Sequence, residues 1–105
     1  MLELDKETFE AEVINAKETV FVDFYSDSCE PCKAIMPAVE GFAEKYGDKL
    51  KFTKINTMKA RRLAIAQKVL GLPVMAIYKN GEKTVELVKD DCTEANIEKM
   101  IQDNI

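Results

Sequence analysis

Two cysteines separated by two residues, Cys29 and Cys32, are the side chains of this sequence best suited to chemistry. They stand between a run that predicts a strand and a run that predicts a helix, so Cys29 falls at the N-terminal end of that helix. Unpaired N–H groups and the helix dipole favour a thiolate there, which is the nucleophilic form of cysteine. The spacing brings Cys32 within disulfide distance, and Pro31 restricts φ at the helix start. The pair predicts thiol–disulfide exchange, with Cys29 as the nucleophile and Cys32 as the resolving thiol.

Two other interpretations of the pair remain open at this point. A structural zinc site needs four ligands, but the chain has no His and only Cys92 as a further thiol, so carboxylates or a second chain would have to contribute. The two cysteines could also be buried and inert, although the polar neighbours Asp27, Ser28 and Glu30 indicate a loop. We expect no bound metal, and no cofactor other than the redox-active disulfide itself.

Alternating patterns predict the strands and helices that position this pair. Thr8 is a candidate N-cap for a helix over 8–16, and VFVDFY (20–25) predicts a buried central strand. A helix follows from Pro31 to a C′ residue at Gly47, with a kink at Pro37. Further predictions are a strand over 51–57, a helix over 58–70 ended by Gly71, strands over 74–79 and 83–89 joined through Asn80-Gly81, a final helix from Thr93, and a short first strand at Leu2–Leu4.

This order of elements predicts one α/β domain spanning residues 1–105. Its central mixed sheet should have four or five strands, flanked by about four helices, with right-handed crossovers between parallel neighbours. Within the central strand, Asp23 is the one charged residue, and burial there should raise its pKa. Such a carboxyl group can transfer a proton, or it can be a polar residue that is hydrogen-bonded at a strand end.

The net charge of −4 argues against nucleic-acid binding and against a polybasic membrane patch. Lys59, Arg61 and Arg62 form the one basic cluster, which is either a solvated helix start or a docking site for an acidic partner. No apolar run reaches the roughly 18 residues that span a bilayer, and the first residues do not have the pattern of an export signal. We therefore expect a cytoplasmic protein.

Several segments together resemble the thioredoxin family, in the same order over nearly the whole chain. They are VDFYSDSCEPCK, KAIMPAVEGFAEKYG, Lys54-Ile55-Asn56, Gly71-Leu72-Pro73 and Tyr78-Lys79-Asn80-Gly81. The resemblance implies a thioredoxin fold. It also implies that Asp23 exchanges a proton with Cys32, that Lys54 pairs with Asp23, and that Pro73 is cis and faces the disulfide. The target-binding surface implied by the resemblance comprises Tyr25, Ser28, Glu30, Leu72, Pro73, Val74 and Asp90.

Four positions depart from the family pattern. Ser28 replaces the usual Trp before the first cysteine, which removes a large apolar contact and suggests a narrow set of partners. Glu30 and Asp90 stand where the family has glycine, and Glu30 adds a negative charge beside the Cys29 thiolate. Cys92 has no counterpart; it is either a small apolar residue at a helix start or a regulatory or dimer-forming thiol.

The function that the resemblance implies is that of a monomeric electron carrier with protein-disulfide reductase activity. It would accept electrons from a flavoprotein, thioredoxin reductase, and pass them to disulfide-containing target proteins. The SCEPC motif resembles that of thioredoxins from amino-acid-fermenting anaerobes, which points to a glycine, sarcosine or betaine reductase system as the target. The alternative is a thioredoxin-fold interaction subunit whose cysteines take no part in catalysis.

Overall fold

A five-stranded mixed sheet with helices on both faces forms the protein, and the computed structural model describes all 105 residues. This architecture confirms the predicted fold class. The strands are β1 Leu2–Leu4, β2 Val20–Tyr25, β3 Lys51–Asn56, β4 Val74–Lys79 and β5 Glu82–Val88. The helices are a short π-helix at Glu10–Ile14, α1 Glu30–Tyr46, α2 Arg61–Ala66 and α3 Glu94–Gln102, with 3-10 turns at Thr57–Lys59 and Lys89–Asp91.

The sheet has the strand order β1-β3-β2-β4-β5, so β2 lies at its centre. Strands β1, β3 and β2 are parallel, whereas β4 and β5 run antiparallel to their neighbours. Asp23 of β2 lies opposite Lys54 on one side and Met75 on the other, and Lys54 in turn lies opposite Glu3. The chain leaves the carboxyl end of β2 directly into the segment that carries the two cysteines.

Alternate residues of β2 enter two separate apolar layers. Val22 and Phe24 pack with Phe9 on the face that the π-helix and α2 cover. Phe21 packs with Val39 and Ile97 on the opposite face, under α1 and α3. Side chains two residues apart in a strand share a face, so Asp23 points into the same layer as Phe21. The one charged residue of the central strand therefore faces the helix that begins with the cysteine pair.

The first helix starts differently from the prediction. Thr8 is not a simple N-cap, because Asp5 and Thr8 satisfy each other: the Thr8 N–H donates to Asp5 Oδ1 at 2.9 Å, and the Asp5 N–H donates to Thr8 Oγ1 at 3.0 Å. This reciprocal pair is a capping box that begins the turn three residues earlier. Phe9 and Val13 are buried as predicted, but the regular π-helix covers only Glu10–Ile14.

The helix predicted over 58–70 is much shorter than expected. Asn56 Oδ1 accepts the Met58 N–H at 3.0 Å and starts a 3-10 turn, so α2 begins only at Arg61. At the other end of the helix, Lys68 adopts φ +62°. The Lys68 N–H donates to Ile65 O, and the Val69 N–H donates to Ala64 O. These two bonds make a Schellman motif, which ends the helix before Gly71 is reached.

The remaining boundaries agree with the predictions to within a residue, with one exception in backbone conformation. Gly47 ends α1 with φ −65°, so it is not the left-handed C′ glycine that we expected. Pro37 lies inside α1, and the helix continues on both sides of it. Asn80 and Gly81 have φ +54° and +81°, which confirms the tight hairpin between β4 and β5. Thr93 caps α3 by accepting the Asn96 N–H at 3.1 Å.

Candidate active site

Cys29 and Cys32 form a disulfide at the start of α1. Cys29 is the N-cap residue, and its sulfur accepts the Cys32 N–H at 3.2 Å. The Cys29 N–H donates to Ser26 O at 3.2 Å, which ties the first cysteine to the end of β2. Cys32 is 1% exposed and Cys29 is half-buried, so Cys29 is the sulfur that a second protein can reach. A backbone donor already aimed at this sulfur would stabilise a thiolate on it.

Glu30, the next residue, lies exposed in the first turn of α1. Its carboxylate forms an ion pair with Lys33 at 2.9 Å, and both side chains are well exposed. An exposed pair of this kind adds little to stability, but it offsets part of the negative charge that Glu30 brings to the redox pair. Pro31 occupies the first turn, where its missing N–H leaves no bond unmade.

Asp23 is fully buried, and neither of its carboxylate oxygens has a hydrogen-bond partner in the protein. Burial raises the pKa of Asp23 to about 7; the charge of Lys54 opposes this rise and the charge of Glu3 adds to it. An unpaired carboxyl group of this kind changes its protonation state near neutrality, where thiol chemistry also takes place.

Lys54 does not pair directly with Asp23, contrary to the expectation. Its ammonium group lies 3.8 Å from Glu3 Oε1 and 5.7 Å from the centre of the Tyr25 ring. The Tyr25 hydroxyl donates to both carboxylate oxygens of Glu3, at 2.8 and 2.9 Å. Glu3 offers Lys54 a half-exposed carboxylate, whereas a direct pair with Asp23 would require charge on a fully buried carboxyl group, which is costly. The sequence pattern did not indicate a role for Glu3. Glu3 lies next to Lys54, and so near Asp23, only because β1 pairs with β3.

The peptide bond between Leu72 and Pro73 is cis, as the resemblance implied. Pro73 is buried, Leu72 is half-exposed, and the Pro73 carbonyl accepts the Lys89 N–H at 2.8 Å. Val74 is 1% exposed and packs in the core at the start of β4, so its side chain is not available to a target. Of the three residues that this segment was expected to contribute to the target-binding surface, Leu72 alone presents an accessible side chain.

The segment after β5 differs from the expectation about Asp90. The left-handed residue, whose backbone suits glycine, is Lys89 with φ +53°, and Asp90 lies beside it in an exposed 3-10 turn. The Lys89 side chain lies over Gly71, in the space that a side chain at Gly71 would need. Lys89, which lies over Gly71 next to the cis proline segment, was not identified from the sequence.

Cys92 is a buried free thiol behind the cis proline. Its sulfur lies 3.5 Å from Pro73 O and 3.4 Å from Leu87 O, within range of weak S–H hydrogen bonds. Burial raises the pKa of Cys92 to about 11, so its thiol stays protonated. This environment favours the interpretation of Cys92 as a small buried residue over that of a reactive thiol.

Ser28 contacts a shallow groove beside the disulfide. Its hydroxyl lies 3.7 Å from Met58 Sδ and 3.4 Å from the hydroxyl of Ser26. The groove has a volume of about 320 Å³, and its lining includes Ser26, Met58, Ile65 and Leu72. Met58 was not singled out from the sequence, because only the 3-10 turn brings it to the redox pair.

A second cavity, of about 340 Å³, lies on the other side of the disulfide. It is lined by Tyr25, Asp27, Cys32 and Met36, among others. Asn56 Nδ2 donates to Asp27 Oδ2 at 3.1 Å and so ties the end of β3 to the loop before the cysteines. This cavity borders Cys32, the sulfur that is otherwise buried.

Two further properties of the chain concern metals and membranes. No three His, Cys, Asp or Glu side chains lie close enough together to bind a metal ion. None of the helices combines the length and the apolar character that crossing a bilayer requires.

Comparison with known proteins gives consistent matches over the length of the chain. The thioredoxin family model matches residues 1–103. A thioredoxin of Acetoanaerobium sticklandii is 56% identical over 102 residues, covering 97% of each chain. A thioredoxin of Peptoclostridium acidaminophilum is 52% identical over 105 residues, covering 100% of this chain and 96% of its own. Thioredoxin C-2 of Corynebacterium nephridii is 33% identical over 82 residues, covering 78% of this chain and 76% of its own.

Proposed function

The chain belongs to the thioredoxin family of thiol–disulfide oxidoreductases, and from this premise we propose that it is a protein-disulfide reductant. It accepts electrons from a flavoprotein thioredoxin reductase and passes them to disulfides of target proteins. The observation that carries this proposal is the asymmetry of the redox pair. Cys29 is accessible and takes a backbone hydrogen bond on its sulfur, while Cys32 is buried behind it. One sulfur is thereby suited to attack and the other to resolution.

The exchange proceeds in two displacements that together move two electrons. The Cys29 thiolate attacks one sulfur of the target disulfide, and the other target sulfur leaves as a thiolate. Cys32 then loses its proton and attacks the Cys29 sulfur of the mixed disulfide. The bond to the target breaks, the second target sulfur leaves as a thiolate, and the Cys29–Cys32 disulfide forms. The reductase then supplies two electrons to restore the dithiol.

We assign the acceptance of the Cys32 proton to Asp23. Asp23 faces the layer that α1 covers, and Cys32 is buried in the first turn of α1. The pKa of Asp23, raised to about 7 by burial, suits a carboxylate that takes up and releases a proton near neutrality. In this proposal Lys54 and Glu3 adjust the charge of Asp23 through space rather than through a direct bond.

The targets that we propose are glycine, sarcosine or betaine reductase systems, with the protein working as a cytoplasmic monomer. The SCEPC motif suggested this setting, and similarity to thioredoxins of two clostridial anaerobes supports it. Leu72, the backbone around Pro73, and the exposed Ser28 and Glu30 would form the surface on which the target chain lies. The small Ser28 side chain favours a restricted set of partners.

Insulin reduction with dithiothreitol as electron donor tests the redox role. We expect the wild-type protein to accelerate precipitation of the insulin B chain, and Cys29→Ser to reduce the rate to that of dithiothreitol alone. Cys92→Ser is the matched control, because it makes the same substitution at a buried thiol outside the motif; it should keep most of the activity.

Circular dichroism would establish that both variants are folded. Full activity of a folded Cys29→Ser variant would contradict the proposal and favour a non-catalytic interaction subunit. Reduction of the protein by NADPH and a thioredoxin reductase, followed through NADPH absorbance, tests the electron supply separately.

A further inference from the structure

The charges of this chain are distributed very unevenly. Residues 49–81 contain eight of the 15 basic residues and none of the 19 acidic residues. Four of these basic residues, Lys59, Arg61, Arg62 and Lys68, lie exposed on or next to α2. None of the four forms an ion pair within the protein, although six other lysines do. An acidic chain thus keeps one local surface strongly positive.

The same surface carries exposed apolar side chains. Met58, Ile65 and Leu70 are 47%, 64% and 84% exposed, and they are three of the seven large apolar residues that the protein exposes. All three line the groove of about 320 Å³ beside the disulfide. Exposed apolar side chains that cluster in this way mark interaction sites more often than scattered ones do.

A second depression, of about 330 Å³, continues the groove on its basic side. Its lining shares Met58 and Arg61 with the groove and includes Lys6, Lys59 and Arg62, without any acidic residue. Apolar contact and positive charge therefore form one continuous area. We call the seven residues on or next to α2 the α2 surface: Met58, Lys59, Arg61, Arg62, Ile65, Lys68 and Leu70.

The α2 surface adjoins the redox pair on one side only. Ser26 and Leu72 line the groove, and Ser28, which precedes the attacking cysteine, contacts Met58. The cavity on the other side of the disulfide is instead lined by charged side chains of both signs, Asp27, Lys33 and Glu40. A target chain bound across Cys29 would consequently meet uniformly positive charge on the side of α2 and charges of both signs on the other side.

We propose that the α2 surface binds the segment next to the disulfide of a target protein, and that this segment carries apolar side chains interspersed with carboxylates. This inference rests on the proposed function and names the targets by their chemistry. Leu70 and Ile65 would cover the apolar side chains, and the unpaired Arg61 and Arg62 would pair with the carboxylates. Charge complementarity would orient the target and accelerate its association.

Three synthetic peptides with one intramolecular disulfide each provide the test. They are identical except for four residues next to the first cysteine, which are Leu-Glu-Leu-Glu, Leu-Gln-Leu-Gln or Leu-Lys-Leu-Lys. The protein, first reduced with dithiothreitol and then desalted, is mixed with each peptide, and the rate of peptide reduction is followed by thiol alkylation and mass spectrometry. At about 20 mM ionic strength we expect the Glu peptide to be reduced about tenfold faster than the Lys peptide. At about 500 mM this ratio should fall to within about twofold, because salt screens the charges.

Charge reversal identifies the surface. Arg61→Glu combined with Arg62→Glu should abolish or invert the preference for the Glu peptide. Lys17→Glu combined with Lys49→Glu makes the same change of net charge at exposed, unpaired lysines next to the amino ends of β2 and β3, and should preserve it. Leu70→Ser should slow reduction of the Glu peptide and leave unchanged the rate for a version with Ser in place of Leu.

The outcomes separate this inference from the proposed function. If the protein reduces neither the peptides nor insulin, the proposed function is wrong; if it reduces insulin but none of the peptides, the proposal for the α2 surface is wrong. If it reduces all three at equal rates, or if both double variants change the preference equally, the reductase function stands and the α2 surface is not a docking site. Sedimentation at low salt provides the remaining outcome: a dimer that the Arg61 and Arg62 reversals dissociate would assign the surface to a second copy of the chain and overturn the proposal.

Discussion

At the scale of single residues, Asp23 stands out because an ionisable carboxyl group is fully buried there. Its carboxyl group lies in the apolar layer under α1 without a hydrogen-bond partner. Such a group costs stability when it is ionised, because no neighbouring donor replaces its hydration. This position, which weakens the fold and yet faces the helix with the redox pair, supports the role in proton transfer that we propose for Asp23.

The pKa of Asp23 makes the stability of the protein depend on pH. Its ordinary value is 3.8 and burial raises it to about 7, so between these values the folded state binds a proton that the unfolded state has released. The free energy of unfolding therefore falls as the pH rises through this window, and it stays lowered above pH 7. Asp23→Asn removes this dependence. Between about pH 5 and pH 8 we expect the stability of the variant to improve relative to wild type by about 3 kcal/mol.

Urea unfolding of the oxidised protein at the two pH values measures this change. Glu40→Gln is the control, since Glu40 is exposed on α1 and its substitution should leave the pH dependence as in wild type. A wild-type stability that does not fall across the window would contradict the assignment of a raised pKa to Asp23.

Glu30 provides a second prediction at this scale. Its negative charge next to Cys29 opposes formation of the thiolate, so Glu30→Gly should increase the thiolate fraction of the reduced protein near neutrality. The reduced form is then stabilised, and the reduction potential should rise by roughly 5–20 mV. Lys33→Gln removes the ion-pair partner of Glu30 and should shift the potential in the opposite direction.

Thiolate absorbance and equilibration with glutathione buffers check both shifts. Glu44→Gly makes the same substitution on the same helix, about three to four turns away from the cysteines, and should change neither quantity. A lower thiolate fraction in Glu30→Gly would show that its charge is not what limits ionisation of Cys29.

At the scale of elements, the ends of the helices decide what the active-site surface presents. The Schellman motif at Lys68 stops α2 after six residues, and the chain that follows leaves Leu70 exposed. The left-handed backbone at Lys89 turns the chain, and the Lys89 N–H donates a hydrogen bond to the Pro73 carbonyl. Both positions hold lysine where glycine would be less strained, so each turn of the chain exposes a cation.

Substitution at Lys68 tests the helix end. Because φ is +62° there, Lys68→Gly should be more stable than Lys68→Ala by about 1 kcal/mol. Ala66 lies two residues earlier within the helix, so Ala66→Gly should instead destabilise the protein by about 0.5–1 kcal/mol. Thermal or urea unfolding compares the four proteins, and the same sign at both positions would show that the left-handed conformation at Lys68 is not maintained in solution.

At the scale of the whole molecule, the redox pair lies beyond the carboxyl end of the central strand, with the positive α2 surface on one side of it. Strand β2 lies at the centre of the sheet, and Cys29 follows its carboxyl end. The basic residues next to this end of the sheet come from the region 49–81. The attacking sulfur thus lies at the surface, although the proton acceptor that we assign to its partner Cys32 lies in the interior.

The reduction potential is the property of the whole molecule that decides the direction of electron flow. We expect about −270 mV, the usual value for a thioredoxin, because the exposed carboxylate of Glu30 next to Cys29 opposes the thiolate and so does not stabilise the reduced form. Equilibration with dithiothreitol redox buffers, followed by alkylation and mass spectrometry, measures it. Cys92→Ala should leave it unchanged, and a value near about −120 mV would identify an oxidant instead.

Much of the fold and the centre of the site could be predicted from the sequence. The cysteine pair at the junction of a strand and a helix, the hairpin at Asn80-Gly81 and the buried carboxyl of Asp23 all follow from patterns within a few residues. Local patterns are sufficient there because turn chemistry and strand periodicity act between neighbours in the chain.

Only the tertiary structure decided which groups meet across the sheet and which remain without a partner. Lys54 pairs with Glu3 rather than with Asp23 because β1 joins β3 about fifty residues later in the chain, a register that no local pattern specifies. The sequence already indicated the basic cluster of Lys59, Arg61 and Arg62, but only the structure showed that exposed apolar side chains adjoin it and that it lies beside Ser28. Such contacts depend on the packing of distant segments, and that packing also determines the surroundings in which Cys29 and Cys32 react.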